Sequence, residues 1–432
     1  MTDVASPHTD PEQKRGLFET LEIDTRLLGM IGAFILICLA FTWYTDGRFL
    51  SARNIFNLTI QTVSVAIMAT GMVFVIVMRH IDLSVGALLA LCSAVMGLLQ
   101  VRILPQYGIP LGSPLIAPIA MAAGILTGAA VGALNGWLVG YQGVPAFIVT
   151  LGGLLIWRNV GWYLTSGQTL GPLDPTFLKF GGSEGTLGVT LSWIVGALAA
   201  AAAVWAVWRA RQVKERHEFP VKPIGAEVAL SVLIAASILG FVYFLNSYLI
   251  PDARLKRMFE ARGEVMPEGY TEGFGLPISV VVVIVVAIVM TIIALRTRFG
   301  RYIFAAGGNP DAAELSGINT RWLTVKVFAL MGILCGLSAV IAQARLQNHT
   351  NDLGTLDELR VIAAAVIGGT ALSGGVGTIY GAILGALIMQ SLQSGMAMVG
   401  AEAPFQNIVV GVVLVLAVWL DIQYRKRTGA LK

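Results

Sequence analysis

Three ionisable side chains stand close together inside an apolar stretch of this sequence. Arg79, His80 and Asp82 belong to the segment MRHIDLSVGALLAL (78–91), between two runs long enough to cross a membrane. Charges deep in a bilayer cost about 2.5–3.5 kcal/mol each even on the lenient insertion scale. We therefore expect a break between two helices here. Asp82 or Ser84 would cap the second helix, and Arg79 and His80 would lie at the C-terminal end of the first.

A second interpretation of this segment places it on the route of a substrate. The residues that would line such a route are His80, Asp82, Ser84 and Gly86. The signs of the charges favour the structural interpretation, because a cation stabilises the C-terminus of a helix and an anion stabilises its N-terminus.

Another polar segment is LNGWLVGYQGVPAFIVTLG (134–152). Asn135 lies within a predicted apolar helix, and Pro145 can begin the next helix because its missing N–H is not needed there. Arg158 and Asn159 follow on that helix. We expect these polar residues either to face a pathway or to take part in packing.

A third polar segment is LDELRVIAAAVIGGTALSGGVGTIYGAILGA (356–386). Asp357, Glu358 and Arg360 precede an apolar run, and two Gly-Gly pairs predict interruptions of the helix. Unwound backbone at membrane depth is tolerated only where protein or a watery cavity covers it. The candidate residues for a pathway or for packing are Asn135, Asn159, Gln168, Gly368, Gly369, Gly374 and Gly375.

A polar loop further along contains a short helix with signals at both ends. Asn309 suits the N-cap, Pro310 the first helical position and Gly317 a left-handed C-terminal residue. We expect this helix to dock into another protein, with Ala312 and Ala313 allowing close approach. The alternative is that it lies on the membrane surface. Its residues are Asn309, Pro310, Asp311, Ala312, Ala313, Glu314, Leu315, Ser316 and Gly317.

We assign no catalytic residue, metal ligand or cofactor to this chain. A phosphate loop of the form G-x-x-x-x-G-K followed by Ser or Thr is absent, so hydrolysis of ATP would need a separate chain. The histidines His8, His80, His217 and His349 form no metal-binding pair. The basic residues belong to short loops, which does not indicate a face for nucleic acid.

The amino-acid composition indicates which secondary structure positions the polar residues described above. Of 432 residues, 56% are hydrophobic and only 12% are charged, whereas soluble domains carry about 25% charge. Apolar stretches of about 20 residues recur along the chain, each long enough to cross a bilayer as a helix. Runs such as VVVIVVAIVMTIIAL do not alternate as the strands of a β-barrel would. We predict an all-α, polytopic membrane protein with about 10–12 transmembrane helices.

Eleven spans are predicted, and a shorter apolar piece at 359–373 is either a half-membrane element or a twelfth crossing. The transmembrane domain covers 27–424, between an N-terminal tail (1–26) and a C-terminal tail (425–432). The spans lie near 27–45, 58–78, 83–101, 115–139, 147–164, 189–208, 227–250, 276–295, 323–344, 376–398 and 405–421.

The orientation of the chain follows from its short basic loops, because Lys and Arg stay in the cytoplasm. On that rule the loops 209–226 and 296–322 and both termini are cytoplasmic, so the number of crossings is even. This parity favours counting 359–373 as a crossing. One segment, 251–275, disagrees with the rule, since it falls on the other side with Arg254, Lys256, Arg257 and Arg262.

Several stretches of this sequence resemble the membrane permeases of bacterial ABC sugar importers. These permeases belong to the sugar and branched-chain type of ABC importer permease. The matching stretches follow the family's order along most of the chain: IDLSVG (81–86), NGWLV (135–139), VPAFIVTLG (144–152), SGQTL (166–170), AAGGNPDAAELSGIN (305–319) and IAAAVIGGTALSGGVGT (362–378). In the ribose, galactose and xylose branch, the insertion at about 209–275 fits the D-xylose members better than the shorter ribose ones. Ribose-type relatives usually carry glycines where Arg79 and His80 stand, so the resemblance leaves these charges unexplained.

The resemblance implies a set of partners in a bacterial inner membrane. Two permease chains would form the pore within the lipid, and cytoplasmic ATPase chains using ATP and Mg would drive it. A periplasmic binding protein would deliver a monosaccharide, with D-xylose expected and ribose or galactose as alternatives. The helix at 309–317 would be the coupling helix gripped by the ATPase.

Two other classes of function stay open on the residues alone. An ATP-independent secondary transporter would need buried ionisable residues for ion coupling, and Lys326, Arg158 and Glu358 are the candidates. A membrane scaffold would not need interrupted, glycine-rich helices.

Overall fold

The computed structural model describes residues 25–427, and this part of the chain contains fifteen α-helices of six residues or more. Helix α3 continues through a π-helical stretch, Leu99–Ile103, to Gln106. The helices are α1 (Thr25–Tyr44), α2 (Ala52–Val77), α3 (Val85–Leu98), α4 (Ile116–Gly140), α5 (Ala146–Thr165), α6 (Gly188–Arg216), α7 (Ile224–Asn246), α8 (Asp252–Ala261), α9 (Ile278–Arg296), α10 (Arg298–Gly308), α11 (Pro310–Leu315), α12 (Thr320–Leu346), α13 (Asp357–Ile367), α14 (Ile379–Met398) and α15 (Ala403–Arg427).

Eleven helices of the described chain are long and apolar enough to cross a membrane, which confirms the all-α prediction and the eleven spans. Their ends differ from the prediction. Helix α6 reaches Arg216, eight residues beyond the predicted end, because Arg and Lys are good helix formers and Arg211 pairs with Glu215 at 2.8 Å one turn on. The predicted tails lie largely outside the described residues, since α1 begins at Thr25 and α15 ends at Arg427.

One end of the bundle carries α10, and we call it the α10 face. The N–H of Gly375 donates to the carbonyl oxygen of Val77 at 3.0 Å, so the loop before α14 meets the end of α2 there. A Cβ added at Gly140 would lie 2.6 Å from the carbonyl oxygen of Arg321, which brings the end of α4 to the start of α12. The opposite end carries α8, and we call it the α8 face.

At the α8 face, the other ends of the same helices meet. A Cβ added at Gly395 would lie 2.2 Å from the ring of Phe41, so α14 ends beside the end of α1. Leu170 and His349 form an antiparallel bridge between the segments that follow α5 and α12. Following the chain from α1 to α15 gives twelve passages between the faces, and both described ends lie at the α10 face.

Helix α13 and the loop after it form the passage that is added to the eleven full-length spans. An even number of crossings predicts this passage. The helix has eleven residues and a length of about 16 Å, about half of what a span needs. It ends at the first Gly-Gly pair, where Gly369 has φ of 86°. Gly374 and Gly375, with φ of 88° and 75°, form the turn at the α10 face. Both predicted interruptions are therefore confirmed.

Glycines at every fourth position of α4 face α12. A Cβ at Gly128 would lie 2.1 Å from the carbonyl oxygen of Gly332, and a Cβ at Gly132 would lie 2.2 Å from that of Phe328. Larger residues would not fit, so these two helices pack backbone against backbone. The glycines of this stripe are Gly128, Gly132, Gly136 and Gly140, whereas Gly124, at the same spacing, faces Met96 of α3.

The segment 251–275 lies at the α8 face, opposite the basic loops, as the count of spans requires. Part of its positive charge has a local partner. Arg254 pairs with Glu184 at 3.1 Å, donates to the carbonyl oxygen of Ser183 at 2.9 Å, and stands over the ring of Phe274. Arg254 therefore serves to attach α8 to the loop between α5 and α6.

Candidate functional site

A polar cavity of about 480 Å³ lies between α2, α12, α13 and α14, toward the α8 face. The volume is within the range of small-molecule sites, about 300–1,000 Å³. Two thirds of its lining residues are polar or charged. These residues are Gln61, Ser64, Arg345, Thr350, Asp352, Thr355, Asp357, Arg360, Gln390, Gln393, Ser394 and Gln406.

Amide and hydroxyl side chains join α14 to α2 along one wall of this cavity. The side chain of Gln390 donates to Oε1 of Gln61 at 2.9 Å, and Ser394 donates to Oδ1 of Asn54 at 3.3 Å. None of these residues was predicted from the sequence as part of a site. Gln390, Gln393 and Ser394 lie three and four positions apart in an apolar helix, so helical spacing of polar residues was the signal that could have found them.

Charged groups form the wall opposite, and Asp357 and Arg360 among them belong to the polar segment 356–386. Arg360 donates to Oδ1 of Asp357 at 3.0 Å within α13. Arg158 of α5 donates to the carbonyl oxygen of Asn351 at 3.0 Å and to the hydroxyl of Thr355 at 2.8 Å, which holds the loop before α13 in place. Amides, a carboxylate and guanidinium groups together offer both donors and acceptors. Such a lining suits a neutral ligand with several hydroxyl groups.

Other residues singled out from the sequence lie elsewhere. Asn159 is exposed and bonds to the carbonyl oxygen of Leu155 on its own helix. Gln168 accepts a hydrogen bond from Arg102 in the region of the α8 face. Glu358 is buried, and a Cβ at Gly86 would lie 2.5 Å from its carboxylate. None of these side chains lines the polar cavity.

The break predicted in the segment 78–91 is present between α2 and α3. Oδ1 of Asp82 accepts hydrogen bonds from the backbone N–H of Ser84 at 2.8 Å and from its hydroxyl at 2.6 Å. The amide of Asn135 in turn donates to the Ser84 hydroxyl at 3.3 Å. Asp82 is the acceptor at the start of α3, whereas Ser84 occupies the N-cap position and makes no capping bond of its own. These three residues form a buried network between helices and do not line the cavity.

The charges before Asp82 differ from the prediction. Arg79 does follow the end of α2, but its guanidinium binds the end of another helix, donating to Gly307 and Gly308 of α10. His80 is partly buried, with its ring 5.9 Å from that of Phe328. Burial lowers the pKa of the His80 imidazole, so it is neutral near pH 7 and adds no end-of-helix charge.

The short helix predicted at 309–317 is confirmed as α11. Oδ1 of Asn309 accepts from the N–H of Ala312 at 3.1 Å. Gly317 has φ of 83°, and its N–H donates to Glu314 while that of Ile318 donates to Ala313, which is the usual glycine-containing closure of a helix. The sequence did not predict α10, since its arginines were assigned to a loop.

The orientation of α11 corrects one expectation. Ala313 is only 4% exposed and packs inside its own chain, so it is not available to a partner. Leu315 is 90% exposed, and Asp311 and Ala312 are exposed as well.

The described part of the chain contains neither a cluster of metal ligands nor a serine nucleophile on a strand-to-helix turn. No group of three or more His, Cys, Asp or Glu there could hold a metal ion. The pentapeptide 181–185 has the spacing of a serine nucleophile elbow. Ser183, however, follows a single 3-10 turn in a loop, not a strand leading into a helix.

Comparison with known proteins identifies relatives that are membrane permeases. The family model for the permease component of branched-chain amino acid transport systems matches residues 54–418. The chain belongs to this family. Among relatives of this permease, the xylose transport system permease protein XylH of Escherichia coli K12 is 37% identical over 406 residues, 94% of each chain. XylH of Haemophilus influenzae is 36% identical, covering 95% of this chain and all of the relative. The ribose import permease protein RbsC of Escherichia coli K12 is 31% identical, over 90% and 91% of the two chains.

No solved structure matches the permease. The relatives named above are permease proteins of xylose transport and ribose import, so the resemblance to sugar-importer permeases is confirmed. The permease is therefore a polytopic membrane protein of a transport system, and the scaffold alternative is excluded.

Proposed function

We propose that this permease forms the path by which an ATP-driven importer moves D-xylose across the inner membrane of a bacterium. Two xylose permeases are related to it over nearly their whole length at 36–37% identity, whereas the ribose permease is 31% identical. Ribose or galactose is the alternative substrate.

The polar cavity is the observation that carries this proposal. A free pentose exposes hydroxyl groups on all sides, and each can donate and accept a hydrogen bond. Asp357 offers acceptors, Arg345 and Arg360 offer donors, and Gln390 and Gln393 offer both. These groups are spread around a cavity of suitable size in the interior of an otherwise apolar bundle.

The distribution of charge supports a cytoplasmic α10 face. The end of α6 carries Arg209, Arg211 and Arg216, and both α10 and the start of α12 are basic as well. Basic residues near the ends of spans stay in the cytoplasm. The cavity then opens toward the periplasm, where a sugar-binding protein would deliver its ligand. The basic residues of 251–275 oppose this orientation, but Arg254 is already bound to Glu184.

Helix α11 is the proposed contact with a separate ATPase that binds ATP and Mg. It lies at the face proposed to be cytoplasmic and exposes Ala312 and Leu315. Its caps at both ends make it rigid enough to pass on a displacement. A second copy of the permease would complete the pore, as the resemblance implies.

Reconstitution into proteoliposomes tests this function. Vesicles containing the permease, its ATPase and its sugar-binding protein would be given labelled xylose, ribose or galactose, with and without ATP. We expect ATP-dependent uptake of xylose above that of the other sugars, and no uptake without the ATPase. Uptake driven by an ion gradient in the absence of the ATPase would show a secondary transporter, and preference for ribose or galactose would correct the substrate.

A further inference from the structure

The Arg79 side chain binds the backbone at the junction between α10 and α11. Its Nε donates to the carbonyl oxygen of Gly307 at 2.9 Å, and its Nη2 donates to that of Gly308 at 2.8 Å. These carbonyls are the last two of α10, so the cation stands at the negative end of that helix. The next residue, Asn309, is the N-cap of α11. The guanidinium therefore binds the place where one helix turns into the other.

A second set of contacts joins the backbone beside Arg79 to the loop before α14. The N–H of Gly375 donates to the carbonyl oxygen of Val77 at 3.0 Å. A Cβ at Gly374 would lie 2.5 Å from Cγ of Arg79, and a Cβ at Gly307 would lie 1.9 Å from the carbonyl oxygen of Val77. Three backbones touch here without side chains between them, so none can move far without the others.

Arg79 has a backbone conformation that favours glycine. It follows the C-cap Met78 with φ of 64°. Its N–H donates to Ile76 at 2.8 Å and that of His80 donates to Val75 at 3.0 Å, the bond pattern that glycine usually completes at the end of a helix. A side chain in this region costs free energy. The two bonds to α10 are the interaction that offsets this cost.

The segments that meet at Arg79 lead directly to the walls of the polar cavity. Helix α2 carries Gln61, the loop containing Gly374 follows α13 with its Arg360, and α14 carries Gln390. A displacement of α11 by a bound ATPase would reach α10 through Asn309. From α10 it would reach α2 through the guanidinium, and the loop between α13 and α14 through the backbone contacts.

We propose that Arg79 is a positioning residue that transmits movement of α10 and α11 to α2, α13 and α14, and thereby couples ATP hydrolysis to transport. This inference rests on the proposed ATP-driven import. It also accounts for a charged residue where ribose-type relatives usually carry glycine.

Three variants distinguish the effect of losing the Arg79 side chain from a change in backbone conformation and from the loss of any positive charge at this face. Arg79→Gly removes the guanidinium and suits the positive φ, so the end of α2 is retained. Arg79→Gln removes the charge and keeps a side chain. Arg216→Gln is the matched control, because Arg216 is an exposed arginine at the same face, at the end of α6 and outside the junction. The measurements are sugar moved per ATP hydrolysed in proteoliposomes of the complete transporter, and ATPase retained by the purified permease.

We expect both Arg79 variants to retain the ATPase and to hydrolyse ATP at the parental rate, while sugar moved per ATP falls about tenfold, the effect of losing a charge-assisted hydrogen bond. Arg216→Gln should behave as the parent. A parental ratio in both Arg79 variants would overturn the inference, and so would loss of the ATPase, since Arg79 would then serve docking. Failure of the parent itself to show ATP-dependent uptake would instead overturn the proposed function.

Discussion

The side-chain amide of Gln390 donates a hydrogen bond of 2.9 Å to Oε1 of Gln61, which joins α14 to α2 in the wall of the polar cavity. A glutamine amide has two N–H donors and an acceptor oxygen, so this bond leaves groups on both residues free for a ligand. The pair thus closes the wall between two helices and presents polar atoms to the cavity. Either function would be lost with an apolar replacement.

Replacing Gln390 with Leu should weaken sugar transport. The change preserves side-chain volume but leaves Gln61 without its partner and removes hydrogen bonds to the sugar, so we expect KM for uptake to rise about tenfold. Uptake by cells at several sugar concentrations, normalised to permease in the membrane, measures this. Gln142→Leu is the control, since Gln142 is exposed at the other end of the bundle. An unchanged KM in Gln390→Leu would exclude this wall from the sugar path.

Two neighbouring alanines of α11 should respond differently to arginine. Ala312 is exposed, so Ala312→Arg should leave the fold intact while it obstructs a docking surface, and the ATPase should no longer copurify. Ala313 is buried, so Ala313→Arg should instead reduce the amount of folded permease. Pull-down of the ATPase and the melting temperature in detergent distinguish the two effects. Retention of the ATPase by Ala312→Arg would place the docking surface elsewhere.

Asp82 should tolerate Asn better than Leu. Asn retains an oxygen that can accept from the N–H and hydroxyl of Ser84, whereas Leu leaves both donors buried and unbonded. An unsatisfied buried group costs about 1–3 kcal/mol, so Asp82→Leu should lower the melting temperature by several degrees. Thermal unfolding in detergent tests the ranking. Equal stability of the two variants would show that this network contributes little, and a stable Asp82→Asn that fails to transport would assign the charge to the pathway.

His349 should make the permease less stable in acid. Its ring is buried and its Nδ1 lies 2.9 Å from the hydroxyl of Ser93, and burial lowers its pKa to about 4. Between the unfolded value of about 6.5 and this folded value, only the unfolded state takes up the proton, so stability is complete above the unfolded pKa and falls as pH decreases. The loss reaches about 3 kcal/mol at most.

Melting temperatures at about pH 7.5 and about pH 4.5 measure this effect. His349→Asn keeps a polar partner for Ser93 and cannot titrate, so its melting temperature should fall less in acid than that of the parent. His217→Asn, at an exposed histidine after α6, should fall as much as the parent. If His349→Asn and the parent lose stability equally, another group controls the acid response.

Local features of this protein could be predicted from its sequence because their causes lie within a few residues. Long apolar runs predicted the eleven spans, since each buries its own backbone polar groups as a helix. The caps of α11 are formed by Asn309 and Gly317, within one turn of the helix they close. Positive φ at Gly369 and Gly374 likewise follows from what glycine alone adopts at low cost.

Tertiary structure alone decided which distant residues meet. The polar cavity takes its lining from five helices and the loop before α13, and sequence order gives no distances between them. The carbonyl that Arg79 binds lies 228 residues away, so its charge could be assigned to a helix end from the sequence but not to the correct helix. Ala312 and Ala313 are identical in type and differ only in which side of α11 faces the bundle. Local hydrogen bonds determine where helices begin and end, whereas packing of their surfaces determines what each side chain touches.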